Sequence, residues 1–125
     1  MDDSNERKFQ KELNGGLVGL VLLAVLAQSG EDLYGYEIAK RLANANQGTS
    51  IFKEGTIYPV LRAMSAANLL TSRIVPSYSG PPRRYYRITE LGRSVLADWT
   101  TIWQGTRGFV DRFIETKQSD TGHLP

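Results

Sequence analysis

Residues 70–89 constrain the fold most, because they predict two short strands joined by a turn. The residues of that turn are incompatible with a continuous helix. Apolar and polar side chains alternate over residues 70–76 and again over residues 84–89. Between these strands, the tip at residues 78–84 holds a Gly-Pro-Pro turn followed by two arginines. The sequence therefore predicts a β-hairpin with a stiff and basic end.

The segment ahead of the hairpin predicts a helix with two different faces. It opens at Gly55, with Thr56 as the expected N-cap and Pro59 within the first turn, where a missing N–H would have no partner in the helix. The inward stripe consists of Ile57, Val60, Leu61 and Met64. The outward face consists of Tyr58, Arg62 and Ser65. Helical periodicity thus leaves one face to pack and the other to face a ligand.

Basic residues are concentrated in this helix and hairpin. Seven of the fifteen Lys and Arg residues lie at positions 51–93 beside two acidic ones, which gives that segment a net charge of +5. Residues 1–50 carry a net −2 and residues 94–125 a net −1. A positive field confined to one part of a nearly neutral chain is typical of a polyanion-binding face, because phosphate neutralisation supplies most non-specific affinity for nucleic acid.

A short helix backed by a basic hairpin is the outline of a winged helix-turn-helix, whose recognition helix enters the major groove of DNA. On this interpretation Arg62 is the best candidate for a bidentate contact with guanine, with Tyr58 and Ser65 beside it. Phosphates would be held at the start of the helix and along the hairpin. The residues predicted for these phosphate and minor-groove contacts are Lys53, Thr56, Arg83 and Arg84.

An apolar run at residues 17–27 predicts a first helix over about residues 9–28 that ends near Gly30. The run is too short to span a bilayer, which takes ~20 apolar residues. Acidic as well as basic residues precede it, so it is predicted to be a core helix buried on most sides and not a signal peptide. Its apolar surface exceeds what one small core needs, which predicts a second contact with a partner subunit.

Helical spacing also predicts a short second helix and a long terminal one. The second covers residues 34–43, with Ile38 and Leu42 facing inward. The terminal helix, capped by Thr89 and running to about Glu115, would be ~40 Å long, more than the domain before it can cover. Together with the first helix it is predicted to form a dimer interface. The interface residues are Leu17, Leu20, Val95, Trp99, Ile102, Trp103, Phe109 and Phe113.

Trp99 and Trp103, one turn apart, allow two interpretations. Aromatic residues at helical spacing usually serve packing, here in the core or the dimer. Both could instead line a pocket at the subunit junction in which a flat aromatic effector stacks. The two interpretations are compatible and both stay open.

Catalytic and metal chemistry find no support in the sequence. The 125 residues contain no cysteine, so there is no thiolate nucleophile, thiolate metal site or disulfide. His123 lies in the polar C-terminal tail, where it is predicted to be exposed and without a residue to orient it. No nucleophile elbow, P-loop or dinucleotide-binding glycine motif is present. The chain is therefore predicted not to be an enzyme and to need neither cofactor nor metal.

Three motifs, in order along the chain, resemble the PadR-like transcriptional regulators. Residues 33–38 are similar to the second-helix motif of that family, residues 55–61 to the start of its recognition helix, and residues 80–93 to its wing and the entry to its last helix. The resemblance implies a homodimer with the C-terminal helices in the interface, usually a repressor released by a phenolic or multidrug-like molecule. The single helix after the wing is similar to the short-tailed branch, in which some members bind drugs between tryptophans of the dimer.

The predicted fold is mainly α with a small β-hairpin. A winged helix-turn-helix domain is expected at residues 9–89 and a C-terminal dimerisation helix at residues 90–116, with flexible tails at residues 1–8 and 117–125. A chain of this length and 41% hydrophobic composition suffices for one such domain.

The predicted function is that of a cytoplasmic, homodimeric transcriptional regulator. It would repress by binding a near-palindromic operator in double-stranded DNA, and a small aromatic effector would release it, with no membrane partner. One alternative is a winged-helix module that grips a partner protein through Tyr58 and the wing. Another is a ligand-sequestering dimer with vestigial wings, against which the basic wing argues.

Overall fold

The computed structural model describes residues 3–48 and 50–123, with side chains placed at residues 4–48 and 50–115. It is mostly helical, with one small antiparallel sheet, as the sequence predicted. The elements in chain order are α1 (Asp3–Ser29), β1 (Leu33–Tyr34), α2 (Gly35–Asn44), α3 (Glu54–Ala66), β2 (Leu70–Val75), β3 (Arg83–Ile88) and α4 (Glu90–His123).

The sheet has three strands in the order β1-β3-β2. The predicted hairpin is β2 and β3, in which Leu70 pairs with Ile88 and Val75 with Arg83. Strand β1 was not predicted, since Tyr34 was placed in the second helix. Two residues are too short to show alternation, and β1 is a strand only because it pairs with the edge of β3.

The hydrophobic core lies between α1, α2, α3 and the inner face of the sheet. Helix α1 as a whole, over Ser4–Ser29, has the length and composition to cross a membrane, yet Leu22, Leu23 and Leu26 of its apolar run are fully enclosed in this core. Leu17 and Leu20 on its other side are only half-buried. The prediction of a core helix is thus confirmed for one side of the run, and the other side remains partly uncovered.

Helix α3 begins earlier than predicted. Lys53 occupies the N-cap position, and its carbonyl oxygen accepts hydrogen bonds from the backbone N–H groups of Thr56 (2.9 Å) and Ile57 (3.0 Å). The prediction that Thr56 is the N-cap was therefore wrong. Pro59 consequently lies beyond the first turn, inside the helix, where its missing N–H costs one hydrogen bond to the carbonyl of Gly55.

The long helices also extend beyond their predicted ends. Residues 3–8, predicted as a frayed tail, belong to α1, because their glutamate, arginine and lysine are good helix formers despite their polarity. The backbone of α4 is helical to His123, past the predicted end near Glu115. The His123 side chain lies outside the described residues, and the division into domains remains a prediction.

The start of α4 fixes that helix to the end of the hairpin. Thr89 caps it as predicted, since its Oγ1 accepts a hydrogen bond from the Gly92 N–H at 2.9 Å. The same hydroxyl donates to the Asn68 carbonyl at 2.7 Å. A Cβ on Gly92 would overlap the Leu69 carbonyl, so only glycine allows α4 to approach this closely.

Candidate nucleic-acid interface

The outward face of α3 presents its three predicted side chains unequally. Arg62 is exposed, whereas Tyr58 is half-buried because its ring lies against the backbone of Gly35 in α2. Burial and, to a smaller extent, the Glu54 charge raise the pKa of the Tyr58 phenol. The Ser65 hydroxyl oxygen is enclosed and has no hydrogen-bond partner within the described part of the chain. Arg62 is thus the most exposed side chain of this set.

A groove of about 500 Å³ separates α3 from the wing, the β2-β3 hairpin with its connecting loop. Its lining brings together four of the predicted site residues, namely Tyr58, Arg62, Arg83 and Arg84. Buried Tyr86 forms part of the groove wall. Burial raises the pKa of the Tyr86 phenol, while the charges of Arg84 and Arg62 act in the opposite direction. Both guanidinium groups therefore act on the same phenol from two different elements.

Arg83 and Arg84 start strand β3 and are not carried by the loop tip. As neighbours on a strand they point to opposite faces of the sheet. Arg84 donates a hydrogen bond to Ser72 Oγ at 3.1 Å, while the Arg83 guanidinium lies 4.6 Å from the centre of the Tyr34 ring. The two arginines therefore reach the groove from different sides of the wing.

Lys53 and Thr56 lie outside the groove. Both are at the N-terminal end of α3, where Lys53 is exposed and Thr56 half-buried. This end of a helix presents unpaired N–H groups that favour anions. The structure thus places the two residues beside the groove residues on the same helix, and their contact with phosphate remains a prediction.

Two tyrosines of the groove were missed by the sequence reasoning. Tyr34 at the end of β1 and Tyr36 at the start of α2 line it, with ring centres 6.1 Å apart. Tyr36 is 60% exposed, although large aromatic residues usually pack. The motif at residues 33–38 carried this signal, but it was interpreted only as the beginning of a helix.

A second cavity, of about 600 Å³ and mostly apolar, lies between α1 and α4. Trp99 and Trp103 both line it within a single chain, and the predicted pocket at a subunit junction remains a prediction. Trp99 also packs on α1, where a Cβ on Gly19 would come within 3.3 Å of its ring. Val60 and Met64 from the inner side of α3 complete the wall, so the cavity contacts α3 on the side opposite to the groove.

The predicted dimer residues divide into two groups. Leu17, Leu20, Trp99 and Trp103 line the cavity, and half-buried Val95 packs on the core. Ile102, which also borders the cavity, is 64% exposed, and Phe109 and Phe113 further along α4 are 54% and 71% exposed. An uncovered apolar stripe of this kind is expected of a helix that pairs with another subunit, and the pairing itself remains a prediction.

The geometry of helix, wing and groove agrees with the similarity of this chain to known proteins. A model of the PadR-like family of transcriptional regulators matches residues 22–98, which is more than half of the chain. The chain belongs to the PadR-like family. A PadR family transcriptional regulator from Eggerthella lenta DSM 2243 is 32% identical, with a TM-score of 0.72, and the match covers 91% of this chain and 96% of that one.

Other relatives agree with this assignment to the PadR-like family. A transcriptional regulator from Clostridium thermocellum is 25% identical, with a TM-score of 0.74 over 82% of this chain and 98% of that one. An uncharacterised protein of Lysinibacillus sphaericus is 29% identical over 103 residues, which are 82% of this chain and 92% of that protein. PadR-like proteins are DNA-binding transcriptional regulators, so the resemblance and the fold class predicted from the sequence are confirmed.

Proposed function

We propose that this PadR-like regulator is a cytoplasmic homodimeric repressor that binds a near-palindromic operator through the groove between α3 and the wing, and that a small aromatic ligand releases it. One observation carries the proposal. Arg62 from α3 and Arg84 from β3 converge on Tyr86 in a single groove. Two cations held by separate elements over one concave surface fit a duplex, whose phosphates border the groove that the helix enters.

The roles of the groove residues follow from their exposure. Arg62, exposed on α3, is positioned to reach base edges, where a bidentate contact with guanine contributes about 1–3 kcal/mol of discrimination. Arg84 and Arg83 would contact the phosphate backbone from the wing. Tyr58 is largely occupied by its contact with Gly35, so its role would be to hold α3 and offer its hydroxyl at the rim.

The dimer is supported by the apolar stripe of α4. Ile102, Phe109 and Phe113 are exposed on a helix that extends beyond the core, and Phe9 of α1 is 67% exposed as well. Burial of such side chains stabilises by about 1.5–3 kcal/mol each, which favours association. A two-fold dimer would place its two α3 helices about 34 Å apart, one turn of the duplex.

Release by a ligand is supported by the wall of the apolar cavity. Val60 and Met64 face the cavity, whereas Arg62 of the same helix faces the groove. A flat aromatic ligand in this cavity, beside Trp99 and Trp103, would therefore press on the inner side of α3. A ligand that prefers a dimer with a different spacing of its α3 helices would lower operator affinity in proportion to its differential affinity for the two states.

The test is replacement of Arg62 and of Arg84 by alanine. Each variant is expected to bind DNA at least about tenfold more weakly and to reduce the slope of log affinity against log salt by about one, because each removes one cation from the interface. The measurement is a titration of a duplex selected from a random pool by the native protein, at several salt concentrations.

Arg107→Ala is the matched control, since it removes the same charge from α4, where Arg107 pairs with Asp111 at 3.6 Å. It should leave both affinity and slope unchanged. Native affinity in both groove variants would contradict the proposed face. Binding of a partner protein without a steep salt dependence would instead favour the protein-interaction module.

A further inference from the structure

Asp32 joins the two wing strands to the body of the domain. It lies in the connection between α1 and β1, and its carboxylate accepts a hydrogen bond from Arg73 Nε of β2 at 2.8 Å and another from Arg87 Nε of β3. Its side chain is 17% exposed, whereas the two arginines are 60% and 63% exposed. One carboxylate thus holds two neighbouring strands at once.

From Asp32 a line of side-chain contacts leads along the outer face of the sheet to the groove. The Arg73 guanidinium lies 5.0 Å from the centre of the Tyr85 ring. Tyr85 in turn lies 5.4 Å from Tyr34, and Tyr34 lies under the Arg83 guanidinium at 4.6 Å. Arg83 is a groove residue, so the contacts run without a gap from the carboxylate to the DNA-binding surface.

The electrostatics are consistent with a fixed arrangement. The hydrogen bond from Arg87, followed by that from Arg73, lowers the pKa of the Asp32 carboxyl below its ordinary value, because both contacts favour the ionised form. The groove lining contains neither Arg73 nor Arg87. Two of the seven basic residues between positions 51 and 93 therefore serve to hold the wing, and the charge that faces DNA is smaller than the sequence suggests.

We propose that Asp32 is a positioning residue for operator recognition. By holding Arg73 and Arg87 it fixes the wing against the body, and through Tyr85 and Tyr34 it sets where Arg83 stands relative to α3. This inference rests on the proposed function, because it concerns how the same groove discriminates between DNA sequences.

The direction in which operator affinity changes when Asp32 is replaced distinguishes a positioning role from a purely electrostatic one. An acidic side chain near a DNA-binding face repels phosphates, so removing its charge should tighten binding to every duplex alike. Loss of a positioning contact should instead weaken binding to the operator while leaving non-specific binding equal or stronger. The ratio of the two affinities therefore falls only if Asp32 positions the wing.

The experiment compares Asp32→Asn with Glu31→Gln. Glu31 is adjacent, carries the same charge, is 69% exposed, and forms its ion pair with Arg41 of α2 at 3.9 Å, away from the wing strands. The probes are a duplex selected from a random pool by the native protein and a random-sequence duplex of equal length. Asp32→Asn should lower the affinity ratio about tenfold, whereas Glu31→Gln should leave it within about twofold of the native value.

A double-mutant cycle with Arg83→Ala tests the route of the effect. If Asp32 acts through Arg83, Asp32→Asn should lower the affinity ratio clearly less in the Arg83→Ala background than in the native one. Asp32→Glu, which keeps the charge, should recover part of the ratio. A purely structural role would give additive losses and no such rescue. Should Asp32→Asn fail to fold, Arg73→Gln breaks one of the two contacts and carries the same expectation.

Each outcome has one meaning. A ratio in Asp32→Asn equal to that in Glu31→Gln, with the native protein discriminating normally, overturns the positioning role and leaves the proposed function standing. A native protein that selects no sequence, or binds without salt dependence, overturns the proposed function and the positioning role with it.

Discussion

At the scale of single residues, Tyr34 shows how the backbone and side chain of one residue can connect three elements. As part of β1, Tyr34 pairs through its backbone with Tyr85 of β3. The Tyr34 N–H donates a hydrogen bond to Glu37 Oε1 at 3.0 Å, and this bond caps the start of α2. Its ring supports Arg83. The sequence placed Tyr34 in a helix, since its strand pairing with Tyr85 and its contact with Arg83 involve residues distant along the chain.

Gly35 is expected to be required for the position of Tyr58. A Cβ at Gly35 would overlap Cε1 of the Tyr58 ring, so Gly35→Ala must displace the tyrosine or α3 itself. We expect a loss of about 1–3 kcal/mol of unfolding free energy and weaker operator binding. Chemical denaturation and DNA titration measure the two effects. Gly15→Ala is the control, because a Cβ at that helical position has no neighbour within 4 Å and should not destabilise the protein.

Tyr86 is expected to make stability fall at alkaline pH. Burial raises its pKa above the ordinary value of 10.0, so the folded state keeps the phenol protonated where the unfolded chain loses the proton. This stabilisation is complete below the pKa of the phenol in the unfolded chain, and it is lost as the pH rises through the pKa of the phenol in the folded protein. Tyr86→Phe should flatten the decline in unfolding free energy between neutral pH and about pH 11.

The control for that measurement is Tyr78→Phe, which removes a phenol from the fully exposed wing loop. It should keep the native pH profile. An equal flattening in both variants would show that the buried position of Tyr86 is not the cause.

At the scale of elements, periodicity predicted those parts of the fold whose pattern is local. The hairpin, α3 with its buried Ile57 and Leu61, and the Thr89 cap all followed from spacing and composition. Strand β1 did not, because its partner is distant in sequence. Ile74 continues the alternation of β2 yet is 57% exposed, since the outer half of the wing projects beyond the core. Alternation of apolar and polar residues therefore indicates a strand, but it does not show how much of that strand the hydrophobic core covers.

The candidate site was predictable to a similar degree. Charge clustering and helical phase identified Arg62 and the wing arginines, which the structure brings into one groove. Phase alone could not show that the Ser65 hydroxyl is enclosed or that Arg73 and Arg87 turn to Asp32. The burial of Ser65 and the contacts of the two arginines depend on which elements pack against α3 and the wing. The residue pattern of a single helix or strand does not contain that information.

The exposed stripe of α4 leads to a prediction about assembly. Replacing Ile102 and Phe109 together with aspartate should separate the subunits, because two charges cannot be buried unpaired in an apolar interface. Sedimentation velocity measures the change. Gln104→Asp lies around the helix from these residues and should leave the mass unchanged. A monomeric native protein at micromolar concentration would contradict the interface.

At the scale of the whole molecule, helix α3 lines the cavity with one side and the groove with the other. Binding at one site should therefore alter binding at the other by the same factor in both directions, as linkage requires. Trp99 and Trp103, which line the cavity, report ligand binding by fluorescence. Binding of a planar aromatic dye should quench their fluorescence. A saturating operator duplex should lower the affinity for the dye by the same factor by which saturating dye lowers the affinity for the operator. Unequal factors would mean that the two do not act on one equilibrium.

The opposed directions of Arg83 and Arg84 set which changes of length the wing can tolerate. Residues 76–82 connect the two strands without taking part in their pairing, so additional residues there would reshape the groove rim that the loop forms but would leave the strand register unchanged. A single residue inserted within β3 would exchange the sides on which every following side chain stands, moving Tyr86 out of the core. The reach of the wing can therefore change by insertion in the loop without disturbing the core, whereas a change in the phase of β3 would disturb it.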